Sequence, residues 1–361
     1  MRRINNSNIY LSTNSLIDFG SLNNNIKIDY DLNIKYIEDA YICGGRSEHD
    51  STPHIKVKNK FDEIIDHCPY RETNNTHRFL PTHVPVTIVK EPYIFGGLVH
   101  NHYGHFITES LSRFSLCKKF SLKFALFVYS MPQSSMPQSF KDFLNDCHIQ
   151  YDIFDIRSNN FIFNQIFIPA PGLVLGRGSV NYYHKNISKM VDTQIVPSKN
   201  KILYISKKKY CQANHNHGGT TIDYNFEQKI EDFLVNTYGA QIIYPDEHSI
   251  KNQINAINEH EIIIGPCGSN MHTILLAKDP KKVVYIISTP VLKETGPATG
   301  RLMGYVKSDL IKNNKSFYLM DDEVDVDLRQ ILDFLTEEGN MLDYNRWKAS
   351  KNYCNNIRSD S

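Results

Sequence analysis

Residues 261–287 read EIIIGPCGSNMHTILLAKDPKKVVYII, which predicts an apolar strand, a glycine-bearing turn, a helix and a second apolar strand. The same rhythm begins further upstream, where strands are predicted at Lys201 to Ile205 and Ala240 to Tyr244, with helices at Asn225 to Asn236 and Ser249 to Asn258. Strands and helices that alternate with connections of a few residues are typical of a parallel, doubly wound sheet. The second half of the chain is therefore predicted to be an α/β domain.

The first half shows a similar but less regular alternation. Runs rich in β-branched and aromatic residues predict strands at Tyr36 to Cys43, Val84 to Val89, Tyr93 to Phe95, Phe124 to Tyr129 and Phe161 to Ile168. Apolar residues at helical spacing predict helices from His105 to about Phe120 and from Phe140 to Cys147. These patterns predict a second layered α/β domain.

A stretch rich in proline and glycine separates the two patterns and predicts an interdomain segment. We expect an N-terminal domain at residues 1–180, a linker at 181–200, a C-terminal domain at 201–345 and a tail at 346–361. Two such domains in tandem form a cleft between them, and we expect a ligand to bind there.

The composition excludes several classes of protein. Among 361 residues, 40 Lys and Arg balance 39 Asp and Glu, so a net charge of +1 offers no broad basic field for nucleic acid. No apolar run reaches the ~20 residues of a membrane helix. The first residues lack the apolar segment of a secretory signal, which predicts a cytoplasmic protein. Seven scattered cysteines without C-x-x-C spacing predict free thiols rather than a zinc ribbon.

The turn from Gly265 to Asn270 is suited to an anion. Its glycines allow a ligand to approach the backbone, and the N–H groups of the helical turn that starts at Ser269 favour a phosphate. The turn lacks the G-x-G-x-x-G pattern of dinucleotide-binding enzymes and the G-K-[ST] of P-loop kinases. An ordinary turn with Ser269 as N-cap explains the pattern equally well.

A second segment, Ser206-Lys207-Lys208-Lys209, directly follows a predicted strand. Because ligands bind at the carboxyl ends of parallel strands, Ser206 and Lys207 are placed to reach a diphosphate. A solvated turn is the alternative, since lysine runs are common on protein surfaces.

The third segment reads FGGLVHNHYGHFITESLSR at residues 95–113. A helix is predicted to begin near His105, which places Glu109 one turn later on the same face, where a carboxylate can orient an imidazole acting as a general base. The spacing H-x-H-x-x-H of His100, His102 and His105 also suggests a metal site, although Gly104 stands where the binuclear pattern has Asp. In the alternative, these residues have no catalytic role: they form a capped helix N-terminus with a glutamate on the surface.

Taken in order, these segments resemble glycosyltransferase family 61. The GG…N-x-G-H-F-x-x-E-S-L-x-R run of the family is similar to Gly96-Gly97 through Arg113, and its I-S-R strand end to Ile205-Ser206-Lys207. Its N-E helix start is similar to Asn225-Phe226-Glu227, and its G-P-H-G turn to Gly265-Pro266-Cys267-Gly268. Two departures are visible: Lys207 stands where the family commonly has Arg, and Cys267 where it frequently has His.

The resemblance implies a GT-B fold, in which two Rossmann-like doubly wound domains face each other across a cleft. It implies an inverting, metal-independent transfer of a sugar from a nucleotide-sugar, with a UDP-sugar as the expected donor, to a hydroxyl of a growing surface glycan such as capsule or lipopolysaccharide. The expected partners are this donor and a glycan or lipid-linked glycan acceptor, with no nucleic acid and no cofactor. Such a glycan is made at the cytoplasmic face, which is compatible with loose association with the inner face of the membrane.

The resemblance also assigns roles to individual residues. His105 and Glu109 are the expected catalytic pair, with Glu109 as the orienter of His105 or as the base itself. The expected donor-binding residues are Ser206, Lys207, Glu227, Tyr244, Gly265, Gly268, Ser269 and Asn270. The expected acceptor-side residues are Gly97, Asn101, His102 and Arg113, and no metal ligand is expected.

Two other functions stay open. Because Cys267 replaces a frequent histidine of the family, the chain is also compatible with a catalytically silent module that binds sugar nucleotides or glycans. The histidine cluster would suit a metallohydrolase, which requires a metal bound through His100, His102 and His105.

Overall fold

The computed structural model describes residues 9–11, 27–28, 34–47, 53–63, 79–81, 83–99, 102–116, 121–129, 136–169, 179–180, 189–191, 198–213, 224–266, 268–279, 281–287, 315–320 and 324–337. Three predicted features lie outside these residues: the C-terminal tail at 346–361, most of the linker at 181–200, and the individual positions His100, Asn101 and Cys267.

Strands are numbered in chain order through the described residues. They are β1 Ile9–Leu11, β2 Lys27–Ile28, β3 Ile34–Ser47, β4 Pro53–Lys58, β5 Phe79–Pro81, β6 Val86–Val89, β7 Tyr93–Leu98, β8 Phe124–Val128, β9 Tyr151–Asp155, β10 Asn160–Pro169, β11 Ser179–Val180, β12 Ile202–Ile205, β13 Gln241–Ile243, β14 Ile262–Pro266, β15 Lys282–Ile287 and β16 Lys315–Met320.

The α-helices are α1 Gln138–Asp146, α2 Lys208–Ala213, α3 Tyr224–Tyr238, α4 Ile250–Glu259 and α5 Val324–Thr336. Two further helical segments carry the candidate site. The 103–116 helix consists of an α-helical turn Tyr103–His105, a π-helical turn Phe106–Ser110 and a 3-10 portion Leu111–Leu116. The 269–276 helix, Ser269–Leu276, is entirely 3-10. A single 3-10 turn, Pro245–Glu247, follows β13.

The sheet of the second half is entirely parallel. Its strands lie in the order β1-β16-β15-β14-β12-β13. Apart from β1, this is the 2-1-3-4-5 order of a doubly wound sheet, and it places the topological switch point between β12 and β14. The parallel sheet predicted for this half is therefore confirmed. Its continuous apolar runs, such as Ile262-Ile263-Ile264, are fully buried because helices cover the sheet.

One strand departs from the predicted domain boundaries. The β1 strand lies within residues 1–180 but pairs in parallel with β16, with Ile9 opposite Ser316 and Leu11 opposite Tyr318. Residues 9–11 therefore belong to the second sheet rather than to the N-terminal domain. Because β1 and β16 are far apart in the chain, no local sequence pattern predicts that they pair.

The sheet of the first half is mixed, which corrects the prediction of a second doubly wound parallel sheet. Its main order is β4-β3-β10-β7-β8-β9, with β5 beside β3 and β6 beside β10. The strands β7, β8 and β9 are parallel, but β3 runs antiparallel to β4, β5 and β10. Only residues 48–52 connect β3 to β4, and such a connection is too short for the crossover that parallel strands need.

A continuous apolar core joins the two halves. Phe106 of the 103–116 helix stacks on Phe140 of α1 with ring centroids 4.0 Å apart. The same core contains Ile254 of α4 and Leu275 and Leu276 of the 269–276 helix, all at most 1% exposed. The first half therefore packs directly against the helices that flank the switch point. Among the described residues, no helix is long and apolar enough to cross a membrane.

Candidate active site

Two of the predicted donor-binding segments meet at the switch point of the second sheet. Ser206 and Lys207 follow the carboxyl end of β12, and Gly268 to Asn270 follow the carboxyl end of β14. The strands β12 and β14 are direct neighbours, with Tyr204 opposite Ile264. Chains that leave adjacent strands at a switch point open a crevice, which is where doubly wound sheets bind their ligands.

Lys207 reaches across this crevice to Gly268. A Cβ added at Gly268 would coincide with the Lys207 ammonium and would lie 2.9 Å from Asn270 Oδ1. Gly268 is the N-cap of the 269–276 helix, so the ammonium lies beside the positive end of that helix. Two positive groups in contact favour an anion between them.

Asn270 is also directed toward this place. Its side chain is 7% exposed, and Nδ2 donates to the Ile205 carbonyl at 3.4 Å. Its Oδ1 is buried without a hydrogen-bond partner among the described residues. A buried acceptor of this kind is costly unless a ligand or water donates to it.

Glu227 lies beneath the Ser206–Lys207 turn, not at its surface. The carboxylate is 0% exposed, and Oε1 accepts hydrogen bonds from the Lys207 N–H at 2.6 Å and from the Ser206 hydroxyl at 3.2 Å. Burial raises the pKa of Glu227 above its ordinary value. Both side chains hold the turn that carries Lys207, and Ser206 is 1% exposed, so the donor contacts predicted for Ser206 and Glu227 stay predictions.

The other two lysines of the triplet contact carboxylates of the second half. Lys208 Nζ lies 2.7 Å from Glu231 Oε2, and Lys209 Nζ pairs with Glu247. The Tyr244 hydroxyl donates to Glu231 at 3.2 Å, and the Lys209 ammonium lies 4.2 Å from the centre of the Tyr244 ring. The half-buried Tyr244 therefore lies beside the lysine triplet, and its donor-binding role stays a prediction.

Gly265 has a packing role. A Cβ at this position would lie 2.6 Å from Met271 Sδ and 2.9 Å from the Ile205 carbonyl. Its lack of a side chain lets β12 and the 269–276 helix approach β14, and the donor contact predicted for Gly265 stays a prediction.

The 103–116 helix contacts the 269–276 helix through the residue next to His105. Gly104 packs against the 269–276 helix so closely that a Cβ there would lie 2.7 Å from Ser269 Oγ and 3.1 Å from His272 Cδ2. His105 is the next residue, half-buried, with its ring centroid 4.9 Å from that of the exposed His102. The His102–His105 ring pair therefore belongs to the helical turn that contacts Ser269 through Gly104.

Glu109 lies in the π-helical turn Phe106–Ser110, where the Leu111 N–H donates to the Phe106 carbonyl. The assumption of a regular α-helix between His105 and Glu109 is therefore wrong. The Glu109 side chain lies outside the described residues. Single π-helical turns inside helices occur frequently at functional sites.

Gly97 and Arg113 form a buried contact under the 103–116 helix. Arg113 is 4% exposed, its Nη1 donates to the Pro169 carbonyl at 2.7 Å, and its guanidinium lies 5.2 Å from the Phe95 ring centre. Gly97 has a φ of +84°, and a Cβ there would lie 3.1 Å from Arg113 Nε. Gly97 and Arg113 therefore have a structural role here, and the acceptor-side roles predicted for them stay predictions.

Sequence reasoning missed the residues that dock the two halves at this site. The Tyr103 hydroxyl lies 2.5 Å from Thr273 Oγ1 and 3.2 Å from Gln253 Oε1. Neither Thr273 nor Gln253 belongs to a recognisable motif. The only sequence signal for Tyr103 is its position directly before Gly104 in the motif-bearing segment. Within the described segments, no group of three His, Cys, Asp or Glu side chains is arranged to hold a metal ion.

A comparison with protein families completes these observations. The family model for Glycosyltransferase 61 matches residues 103–284, half of the chain. The chain belongs to glycosyltransferase family 61. The match begins at Tyr103 and spans both the 103–116 helix and the switch point.

Other comparisons add less to the description of this family 61 glycosyltransferase. No curated protein matches the chain. It aligns at 11% identity and a TM-score of 0.28 with the dodecameric iron-containing heptosyltransferase TibC in complex with ADP-D-beta-D-heptose, covering 71% of this chain and 77% of that one. TibC from enterotoxigenic E. coli H10407 aligns at 11% identity and a TM-score of 0.29, covering 73% and 80%. Structural alignments with TM-scores this low support no conclusion about the fold, substrate or assembly of this chain.

Proposed function

We propose that this enzyme transfers a sugar from a nucleotide-sugar, with a UDP-sugar as the expected donor, to a hydroxyl of a growing surface glycan, with inversion and without a metal. The observation that carries the proposal is the Lys207 ammonium placed against Gly268 at the start of the 269–276 helix. The turn that bears His105 packs against the same helix. These two contacts support an anion site and a nearby imidazole at one crevice.

A donor diphosphate fits the charge of this crevice. The N–H groups of Gly268, Ser269 and Asn270 point out of the helix N-terminus and donate to phosphate oxygens, while Lys207 contributes a point charge. As the bond to the sugar breaks, negative charge grows on the leaving diphosphate, and these fixed groups stabilise it. The chain's own residues can therefore supply the charge that a divalent cation supplies in other transferases.

His105 is the proposed general base. It accepts the proton of the acceptor hydroxyl as that oxygen attacks the anomeric carbon from the face opposite the diphosphate, so the configuration inverts. Glu109 orients the imidazole or acts as the base itself. The exposed His102, next to His105, is placed to contact the acceptor.

The proposed acceptor is a capsule or lipopolysaccharide glycan, free or lipid-linked. This part of the proposal, with a cytoplasmic location and loose association with the inner face of the membrane, is supported by the resemblance to bacterial members of the family. It is tested by supplying free and lipid-linked acceptors in parallel, with and without vesicles of anionic lipid.

A panel of nucleotide sugars tests the donor. A ligand at 100 times its dissociation constant stabilises the folded protein by about 2.7 kcal/mol, so the true donor raises the melting temperature measurably. Lys207→Ala should weaken UDP binding about 10- to 100-fold, because a charge-assisted contact contributes about 1.5–3 kcal/mol. Lys229→Ala, which removes an exposed lysine from α3, is the matched control and should bind UDP like the wild type.

Product analysis tests the reaction. Transfer should persist in EDTA, and the product should have the anomeric configuration opposite to that of the donor. Loss of transfer in EDTA with recovery in manganese would contradict the metal-independent part of the proposal.

Cys267 supports a second candidate, a catalytically silent module that binds sugar nucleotides. Calorimetry that shows UDP-sugar binding, together with no product from any acceptor of the panel, would favour this module over the transferase.

A further inference from the structure

The Tyr103 hydroxyl connects the two halves of the molecule at the candidate active site. It lies 2.5 Å from Thr273 Oγ1 and 3.2 Å from Gln253 Oε1. Tyr103 belongs to the 103–116 helix, Thr273 to the 269–276 helix and Gln253 to α4. We refer to these three side chains as the Tyr103 cluster.

The amide of Gln253 has a defined orientation in the cluster. Gln253 Nε2 donates to the Pro245 and His248 carbonyls, both at 3.1 Å, which fixes the amide so that Oε1 faces Tyr103 and Thr273. Because Oε1 can only accept, it takes its hydrogen bonds from these two hydroxyls, and between Tyr103 and Thr273 either hydroxyl can donate. Burial raises the pKa of Tyr103, so its hydroxyl stays protonated and able to donate.

The cluster offers only longer contacts in place of the Tyr103 hydroxyl: Thr273 Oγ1 lies 3.4 Å from both Gln253 Oε1 and the Asn270 carbonyl oxygen. Thr273 is 0% exposed and Gln253 is 4% exposed, so little water reaches either side chain. Removal of the hydroxyl therefore deprives Gln253 Oε1 of its shortest contact in the cluster and Thr273 Oγ1 of its closest partner there. Buried polar groups that lose a partner favour rearrangement of the element that lost contact.

The element held by the cluster is the turn that carries His105. Tyr103, Gly104 and His105 form one helical turn. The turn contacts the second half at two adjacent points: the Tyr103 hydroxyl on Thr273, and the Gly104 backbone on Ser269. Ser269 lies in the turn that is proposed to bind the donor diphosphate. The cluster therefore helps to fix the turn that carries His105 against the helix that begins at the proposed donor site.

We propose that Tyr103 is a positioning residue of the transfer reaction, whose hydroxyl holds His105 at the working distance from the donor diphosphate. The inference rests on the proposed function and adds to it a residue that touches no reacting atom. A displacement of about 1 Å in a reacting group can cost on the order of 10²-fold in rate. Removal of the Tyr103 hydroxyl should consequently lower kcat. The Lys207 site should stay intact, and the affinity for the donor should not change.

The test compares Tyr103→Phe with the matched control Tyr93→Phe. The Tyr93 hydroxyl also makes a short hydrogen bond, 2.6 Å to Asp152 Oδ2, at the start of β7 and away from the crevice. Both variants should melt below the wild type. Only Tyr103→Phe should lose kcat, about 10- to 100-fold, with a UDP dissociation constant within threefold of the wild type. Thr273→Val should reproduce the loss in kcat, and the double variant should lose little more, since the two residues share one interaction.

A spectroscopic readout separates this inference from the proposed function. The His105 signal of 13C-histidine-labelled protein, assigned by its loss in His105→Gln, is followed during titration with UDP. In Tyr103→Phe the signal and its response to UDP should differ from those of both the wild type and Tyr93→Phe. Equal kcat and equal His105 signals in Tyr103→Phe and Tyr93→Phe would overturn the inference. If the wild type forms no product from any donor, the proposed function fails, and the His105 signal alone then decides whether Tyr103 positions His105.

Discussion

The Lys207 ammonium occupies the place where a side chain at residue 268 would begin. Gly268 has a φ of 165°, an extended conformation open to any residue, so backbone geometry does not require a glycine there. The requirement comes from Lys207. A residue after β12 and a residue after β14, distant in the chain, thus depend on each other to form one anion site.

Gly268→Ala should weaken donor binding with little effect on folding. The added methyl group displaces the end of a flexible side chain, which moves at low cost, but the ammonium then leaves the helix N-terminus. We expect a UDP dissociation constant about 10- to 100-fold higher by calorimetry, in line with the loss of a charge-assisted contact. Gly239→Ala is the matched control: its φ of +63° predicts a lower melting temperature, with UDP affinity unchanged.

Arg113→Lys should destabilise the protein without changing acceptor recognition. Lysine cannot both donate to the Pro169 carbonyl and lie flat on the Phe95 ring, so we expect a loss of about 1–3 kcal/mol in the free energy of unfolding. Urea denaturation measures this loss, and steady-state kinetics measures the acceptor KM. An increase in acceptor KM at unchanged stability would restore the acceptor-side role that the sequence suggested for Arg113.

The second sheet could be predicted because its signals are local. Continuous apolar runs mark β12 and β14, and the helix predicted from Ser249 to Asn258 is found at Ile250–Glu259. Ser249 caps it, accepting a hydrogen bond from the Asn252 N–H at 3.1 Å. The sequence placed Lys207 and Gly268 after two strands of one parallel sheet, and the structure shows that these strands are neighbours.

The rest of the site depends on contacts between segments that are distant in the chain. Nothing near Glu227 in the sequence reveals that its carboxylate is buried under the Lys207 turn, because burial depends on how α3 packs against β12. The docking of Tyr103 onto Thr273 and Gln253 depends on how the two halves meet. The π-helical turn after His105 likewise breaks the 3.6-residue period from which the position of Glu109 was predicted.

Glu227→Gln should change how stability depends on pH. Because burial raises the pKa of Glu227, the folded protein binds this proton more tightly than the unfolded chain does. The resulting stabilisation is fully present below the unfolded pKa and is lost as the pH rises through the folded pKa. Glutamine does not titrate. We therefore expect the melting temperature of the wild type to fall relative to that of Glu227→Gln as the pH rises from about 4 to 7, and parallel curves would show that the carboxyl keeps its ordinary pKa.

The general base is identified by comparing His105→Gln with Glu109→Gln. Loss of a general base costs about 10²- to 10⁴-fold in rate, whereas loss of a residue that only orients the base costs less. We expect His105→Gln to show the larger fall in kcat, with UDP affinity retained, because the diphosphate is held by Lys207 and the 269–276 helix. His83→Ala, which removes an exposed histidine from the first half, is the control for histidine loss in general. If Glu109→Gln abolishes transfer while His105→Gln retains most of it, the carboxylate is the base, and His105, fixed by Tyr103 and Gly104 against Ser269, binds the acceptor hydroxyl instead.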